Sequence, residues 1–399
     1  MGGRPKTHGM DGTLVMPDWP ALTLAELRAL FGRFPALEGP VEILTVSPRP
    51  FSAAGLVKTS AGRVFVKRHA RAVRDHEGLA EEHRFMAHLH RRGAGVPWVL
   101  ADANGETAIE RGEWTYEMHE EAAGVDLYGD ALSWTPLRNA RDAYAAGEAM
   151  GRMHVASEGF NAPRRKTQPL VASFTIFAAA NPSAAMDEYL SARPSLAGDA
   201  KVHACTDEAL ELLAPFHARL APLLPALAPL WTHNDLHASN LLWSDASLSL
   251  SDTGAQSGAG ASVTAIIDFG LADRTNAVHD LAHAIERNIV EWLALVANPD
   301  EPDAVPVHVD HLESLLDGYE SVKTLTAAER AALVPMTALC HAEFALSEAD
   351  YFAGILQSEE KAAMAYDGWL VGHARWFHSQ AGRRLLNAIS QWAQAGAAR

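Results

Sequence analysis

One stretch of the chain constrains its fold more than any other: Leu230-Trp-Thr-His233-Asn-Asp235-Leu-His-Ala-Ser-Asn240-Leu-Leu-Trp243, followed downstream by Ala265-Ile-Ile-Asp268-Phe-Gly270. Asp235 and Asn240 stand five positions apart, and the apolar run Leu241 to Trp243 behind them reads as a loop running into a buried strand. Val263 to Ile267 is a second short β-branched run, so Asp268 is expected to leave the end of a neighbouring strand. Two carboxylates and an amide would then converge.

Taken singly these residues say little, because an aspartate after an apolar strand is usually a turn residue. The ordered set His233, Asp235, Asn240 and Asp268, each tied to an apolar strand, is far more specific. It is the pattern of a kinase catalytic loop and metal loop, with Asp235 beside the acceptor hydroxyl and Asn240 and Asp268 as magnesium ligands. Phosphoryl transfer asks little covalent chemistry of the protein and a great deal of positioning and charge neutralisation.

At 399 residues the chain is long enough for two lobes, and 48% hydrophobic with 21% charged residues describes an ordinary globular protein. A formal charge of −16 argues against a nucleic-acid partner, which calls for a basic stripe, and against adhesion to anionic membranes. Cys205 and Cys340 are too few for a disulfide framework, and the start of the chain lacks a signal-peptide pattern, so a cytoplasmic setting is expected. The apolar stretch Ala209 to Trp231 is interrupted by Pro215, Pro222, Pro225 and Pro229, which excludes a simple membrane span.

The pattern along the chain predicts an α+β fold with a flexible start at 1–20, a small β-rich lobe at 21–122 and a large helical lobe at 123–399. Strands are expected at Val41–Val46, Gly55–Thr59, Arg63–Arg68, Thr107–Arg111 and Trp114–Glu120, with helices from Thr23 to Phe34 and Asp75 to Arg92. The helical part includes Leu137–Glu158, Ala184–Ala192, Thr206–Leu220, Val278–Ala297, Val309–Val322 and Ala327–Leu356. Residues 245–262, rich in Gly, Ser and Ala, read as a flexible insertion between the two proposed metal ligands.

On the strand Arg63 to Arg68, Lys67 shares a face with Phe65 and could pair with ATP phosphates. In the next helix Leu79, Glu82, Met86 and Leu89 fall on one stripe, so Glu82 sits inside an apolar face and needs a cationic partner, for which Lys67 is the candidate. Between the first two strands, Ser47 to Gly55 holds one glycine and two prolines; Ser52, Ala53 and Ala54 are small enough for their backbone to approach a phosphate. Backbone groups of Met118, His119 and Glu120 could meet the adenine edge.

With these residues in place the chain resembles the aminoglycoside phosphotransferase and choline kinase superfamily over roughly residues 40 to 380, most specifically in His233-Asn-Asp235-Leu-x3-Asn240 and Ile267-Asp268-Phe-Gly270. The resemblance implies a protein-kinase-like bilobal fold, Asp235 as catalytic base, Asn240 and Asp268 as magnesium ligands, and Lys67 with Glu82 as the nucleotide pair. It also implies that Asp280, in Val278-His-Asp280, buttresses the catalytic loop together with His233. Asn234 resembles choline and ethanolamine kinases, whereas Gly151-Arg-Met-His154 and the segment around Asp317-Gly-Tyr319 look more like homoserine-kinase-type proteins.

The expected activity is ATP- and Mg²⁺-dependent phosphoryl transfer to a small-molecule alcohol that is aminoglycoside-, homoserine- or choline-like. Acceptor contacts are sought on the helical part, at His237, Glu286, Glu343 and Asp350. Two rivals stand beside it: a catalytically silent nucleotide binder, suggested by the glycine-poor loop, and a metal-dependent phosphohydrolase built on His279-Asp280 with His283 one turn away.

Overall fold

The first helix, α1 (Leu24–Phe31), begins where Thr23 Oγ1 accepts from Glu26 N at 3.2 Å and the Glu26 carboxylate accepts from Thr23 N at 3.3 Å, a reciprocal cap that closes two orphan donors. The computed structural model describes residues 7–8, 14–15, 17–37, 39–47, 49–132, 134–244 and 262–397. Most of the expected flexible start and, Ser262 excepted, the 245–262 insertion lie outside the described residues.

The chain divides into two units, up to Gly124 and from Val125 onward. In the first, β1 (Pro40–Ile43), β2 (Ala53–Thr59), β3 (Arg63–Ala70), β4 (Ile109–Arg111) and β5 (Trp114–Glu120) form one antiparallel sheet in the order β1-β2-β3-β5-β4. Its core joins Leu27 and Phe31 of α1 to Val57, Val66, Tyr116 and Met118. Gly55, the glycine of the expected phosphate turn, lies inside β2, where a Cβ would strike the Thr45 carbonyl as the chain after β1 crosses it. Its role there is close backbone approach.

Helix α2 (His76–Arg91) starts at Asp75, whose carboxylate accepts from Gly78 N at 2.8 Å. Its buried stripe holds Leu79, Phe85, Met86 and Leu89, and with them Glu82 and His83.

The second unit is helical, with α3 (Ala140–Ser157), α4 (Pro182–Ser191), α5 (Ala200–Leu220), α6 (Ala277–Ile289), α7 (Val309–Glu320), α8 (Ala327–Leu339), α9 (His341–Asp350) and α10 (Gln380–Ala397). Helices α3 and α7 approach closely because Gly147 faces the Leu315 carbonyl and Gly318 faces the Tyr144 carbonyl, with no room for a Cβ at either. Two short antiparallel pairs carry the loops of interest: β6 (Pro229–Thr232) with β9 (Asp273–Asn276), and β7 (Leu241–Trp243) with β8 (Val263–Ile266).

The single helix expected over Val278–Ala297 breaks at Val290, which turns extended and bridges to Val307; His308 N donates to Ile289 O and Glu291 N to Pro306 O. A distant segment, invisible to local periodicity, takes over these backbone groups. Helix α5 starts earlier than the pattern suggested, at an Asp199 cap that accepts from Lys201 N. Among the described residues no helix is long and apolar enough to cross a membrane.

Candidate active site

The loop after β6 is fixed from behind. Asp280, near the start of α6, accepts from His233 N at 2.9 Å and from Asn234 N at 2.7 Å, so one carboxylate holds two consecutive amides. Its Oδ2 also meets His154 Nε2 at 2.9 Å, and His154 Nδ1 meets the Tyr319 hydroxyl at 2.9 Å. Burial alone would raise the Asp280 pKa, but the bond and charge of His154, with His233, bring it below the ordinary carboxylate range.

Asn234 sits at φ +60°, a left-handed conformation that asparagine tolerates better than most residues. Its Nδ2 donates to Ala172 O and Leu271 O, and its Oδ1 accepts from Thr232 Oγ1 at 2.8 Å. His233 accepts from Asp235 N at Nδ1 (3.2 Å) and donates from Nε2 to Ile267 O (2.9 Å); these partners assign its tautomer. The edge of Phe269 packs on its ring at 4.6 Å.

Asp235 faces the other way. Asn240 Nδ2 donates to its backbone oxygen at 2.9 Å and to Oδ2 at 3.2 Å, while Ile267 N donates to Asn240 O at 3.0 Å, tying the two loops together. Asp268 follows at φ +61° and opens the turn Phe269–Leu271. Burial pushes Asp235 up to about 6, against the opposing charges of Arg287 and His233, and the nearby Asp268 carboxylate adds to the rise. The Asp268 carboxylate and the Asn240 amide oxygen are hard-oxygen donors, and Asp268 acting on Asp235 is repulsion that a divalent cation would relieve. The residues therefore fit Mg²⁺.

Arg287 was not anticipated. Its Nη1 lies 2.9 Å from Asp235 Oδ1, and its guanidinium lies over the rings of Phe344 (4.2 Å) and Trp134 (4.8 Å). Nε and Nη2, the side-on fork that suits a carboxylate, have no hydrogen-bond partner among the described residues. Glu348, 2% exposed, also has an unpartnered oxygen; burial pushes it up to about 8, with Arg287 opposing and Asp235 adding. Asn288 braces the same loop by donating to Leu236 O at 2.7 Å. Every residue of α6 is buried, so a cation on this helix must find a partner inside the protein.

The anticipated acceptor contacts fare differently. His237 Nε2 lies 3.8 Å from Asp235 Oδ2, with Nδ1 on Ser239 Oγ. Two of the three acids are hydrogen-bonded within the chain, Glu343 accepting from the backbone of Thr175 and Ile176 and Asp350 taking Ser195 Oγ with Arg193 at 3.7 Å, while Glu286 lies 3.0 Å from His373 Nδ1 as an ion pair without hydrogen-bond geometry. For the hydrolase alternative, Asp280 is committed to the loop, and burial lowers His279 to about 3 and His283 well below the usual range.

In the first unit Lys67 is half-buried on β3 opposite Glu117, and Glu82 is buried on α2. Burial lowers the His69 pKa and its Glu117 bond opposes; Lys67 and Glu82 both act on the same ring, with opposite signs. Ser52 precedes β2, and Ala53 is already in the strand, paired with Arg68. In the segment expected to meet the adenine edge, Met118 O accepts from Leu100 N at 2.8 Å and Glu120 N donates to Trp98 O at 2.9 Å. His119 pairs with Phe65 of β3 on the opposite side.

Residues 52–323 match the model of APH, the phosphotransferase enzyme family. The chain belongs to that family. No curated protein sequence matches it. Among solved structures this phosphotransferase is similar to the amicoumacin kinase hAmiN in complex with AMP-PNP, Ca²⁺ and Ami, at 13% identity and a TM-score of 0.53, covering 91% of this chain and 92% of that one. A microcompartment-associated aminopropanol kinase follows at 18% identity and 0.52 (86% and 94% covered), and a choline/ethanolamine kinase family protein from Mesorhizobium loti at 19% and 0.50 (92% and 97%). At these identities the likeness speaks to the protein-kinase-like fold, which the five-stranded sheet and the helical second unit share.

Proposed function

We propose that this phosphotransferase moves the γ-phosphoryl group of ATP to a hydroxyl of a small molecule. The observation that carries the reading is Asp235, a half-buried carboxylate raised to about 6, held beside Asn240 on a loop whose backbone Asp280 fixes. Asp235 accepts the proton of the acceptor hydroxyl as its oxygen bonds to the γ-phosphorus and the bond to the β–γ bridging oxygen breaks, leaving ADP. Arg287 holds Oδ1, which leaves Oδ2, also bonded by Asn240 Nδ2 at 3.2 Å, to meet the acceptor hydroxyl. Asn240 and Asp268 hold Mg²⁺, which when bound offsets phosphate charge. Lys67, positioned by Glu82, holds the nucleotide phosphates, and the small residues Ser52 and Ala53 let backbone approach them.

Arg287 and Glu348 define the acceptor. A guanidinium fork and a carboxylate, both buried and both with unpartnered atoms near Asp235, suit a hydroxyl compound bearing an acidic and a basic group. Among the three candidate classes this favours a homoserine-like hydroxy amino acid over the polycationic aminoglycosides and over choline. The test is an ATP-consumption screen across hydroxy amino acids, amino alcohols, aminoglycosides and sugars, with product mass showing one added phosphoryl group. Turnover confined to aminoglycosides would refute the acceptor class, and no turnover with any class would refute the activity.

A further inference from the structure

A second polar cluster lies in the first unit and plays no part in the proposed reaction. Register places Lys67 opposite Glu117 and Phe65 opposite His119 across β3 and β5, so Glu117, His119 and His69 share the face that α2 covers. From α2, His83 reaches the same point. Glu117 Oε2 lies 2.8 Å from both His83 Nε2 and His119 Nε2, and Oε1 lies 2.9 Å from His69 Nε2. All four residues are buried.

We propose that His83, Glu117 and His119 form a binding site for a transition-metal ion, Zn²⁺ being the best match, with His69 holding the other oxygen of Glu117 from outside. Ligand atoms of His83, Glu117 and His119 lie within 4.8 Å of one another. Two imidazoles and one carboxylate without sulfur are a donor set suited to Zn²⁺, and to Ni²⁺ or Co²⁺ as probes, with the fourth position open. With metal–ligand distances of about 2.0–2.2 Å a tetrahedral ion needs its ligand atoms about 3.3 Å apart, so each 2.8 Å contact must open by roughly half an ångström.

Two observations support the ion beyond convergence. His83 Nδ1 lies 2.9 Å from Thr107 Oγ1, the outer bond that fixes a ligating imidazole with its other nitrogen inward. His119 Nδ1 is buried and has no hydrogen-bond partner among the described residues, so this ring is hydrogen-bonded only through Nε2 and can turn toward an ion. The ion would pin α2, which carries Glu82, to β5, the strand paired with the Lys67 strand β3. It is separate from the Mg²⁺ ligands Asn240 and Asp268, and the site does not depend on the proposed reaction.

The test uses the untagged full chain, stripped with EDTA and titrated with Zn²⁺ and Co²⁺. The expected result is one equivalent bound per chain, a tetrahedral Co²⁺ spectrum, X-ray absorption showing imidazole and oxygen neighbours without sulfur, and a metal-dependent rise in melting temperature. H83Q and H119Q should each weaken Zn²⁺ by more than about tenfold and T107V by about 10–100-fold, while H378Q at the surface changes nothing. Absence of stoichiometric metal in the wild-type chain overturns the site without any variant. One equivalent that survives H83Q, H119Q and E117Q also overturns it, by placing the metal elsewhere.

Discussion

The back and the front of the catalytic loop differ in how completely their polar groups are used. Behind it, Asp280, His154, Tyr319 and Asn234 are buried, and the Asp280 carboxylate is drawn below its usual range by bonds it already makes. In front, Asp235 and Glu348 are raised by burial, and Arg287 and Glu348 keep atoms with no partner. The difference teaches that one side is built for rigidity, because satisfied buried networks are costly to disturb. The other keeps unmatched groups for a ligand.

The back should break first. Asp280→Ala removes the acceptor of two backbone amides and the partner of His154, so a loss of about 3–5 kcal/mol in unfolding free energy is expected, measured by chemical denaturation, together with loss of activity. On the front, Asp235→Asn should leave the melting temperature near wild type while turnover falls about 10²–10⁴-fold, as removal of a general base does. Equal destabilisation by the two substitutions would erase the contrast.

Smaller effects sharpen it. Arg287→Met should lower kcat/KM about 10–100-fold, the scale of about 1–3 kcal/mol for a charge-assisted bond, and the loss should not add to that of Asp235→Asn in a double-mutant cycle. Additive losses would mean that Arg287 acts apart from the base. Glu348→Gln gives the mildest effect, visible through pH. With a folded pKa of about 8 against 4.5 unfolded, Glu348 holds more proton in the folded chain between those values, so its contribution to stability falls as pH rises through that window. The glutamine variant should therefore gain melting temperature over wild type at pH 8 and gain little at pH 5, and the reverse order would contradict the buried assignment.

Much of this was legible in sequence where spacing is short-range. Strand alternation and the His233 to Asn240 spacing are local, and Glu82 within an apolar stripe is a conflict visible on a helical wheel. Arg287 was not legible, because nothing in the pattern of α6 shows that it lacks a wet face. The break at Val290 and the occupied groups of Met118 and Glu120 come from segments 306–308 and 98–100, remote from the elements they alter. That the Thr45 carbonyl leaves no room for a side chain at Gly55 was not legible either, because the contact comes from the chain after β1.

The central claim is that Asp235 takes the acceptor proton in ATP-dependent transfer. It is tested most directly by comparing wild type and Asp235→Asn for phosphorylated product by mass, with nucleotide affinity measured on both. The expected result is a singly phosphorylated alcohol from wild type and a loss of about 10²–10⁴-fold in the variant at unchanged nucleotide affinity. Full turnover by Asp235→Asn would contradict the account.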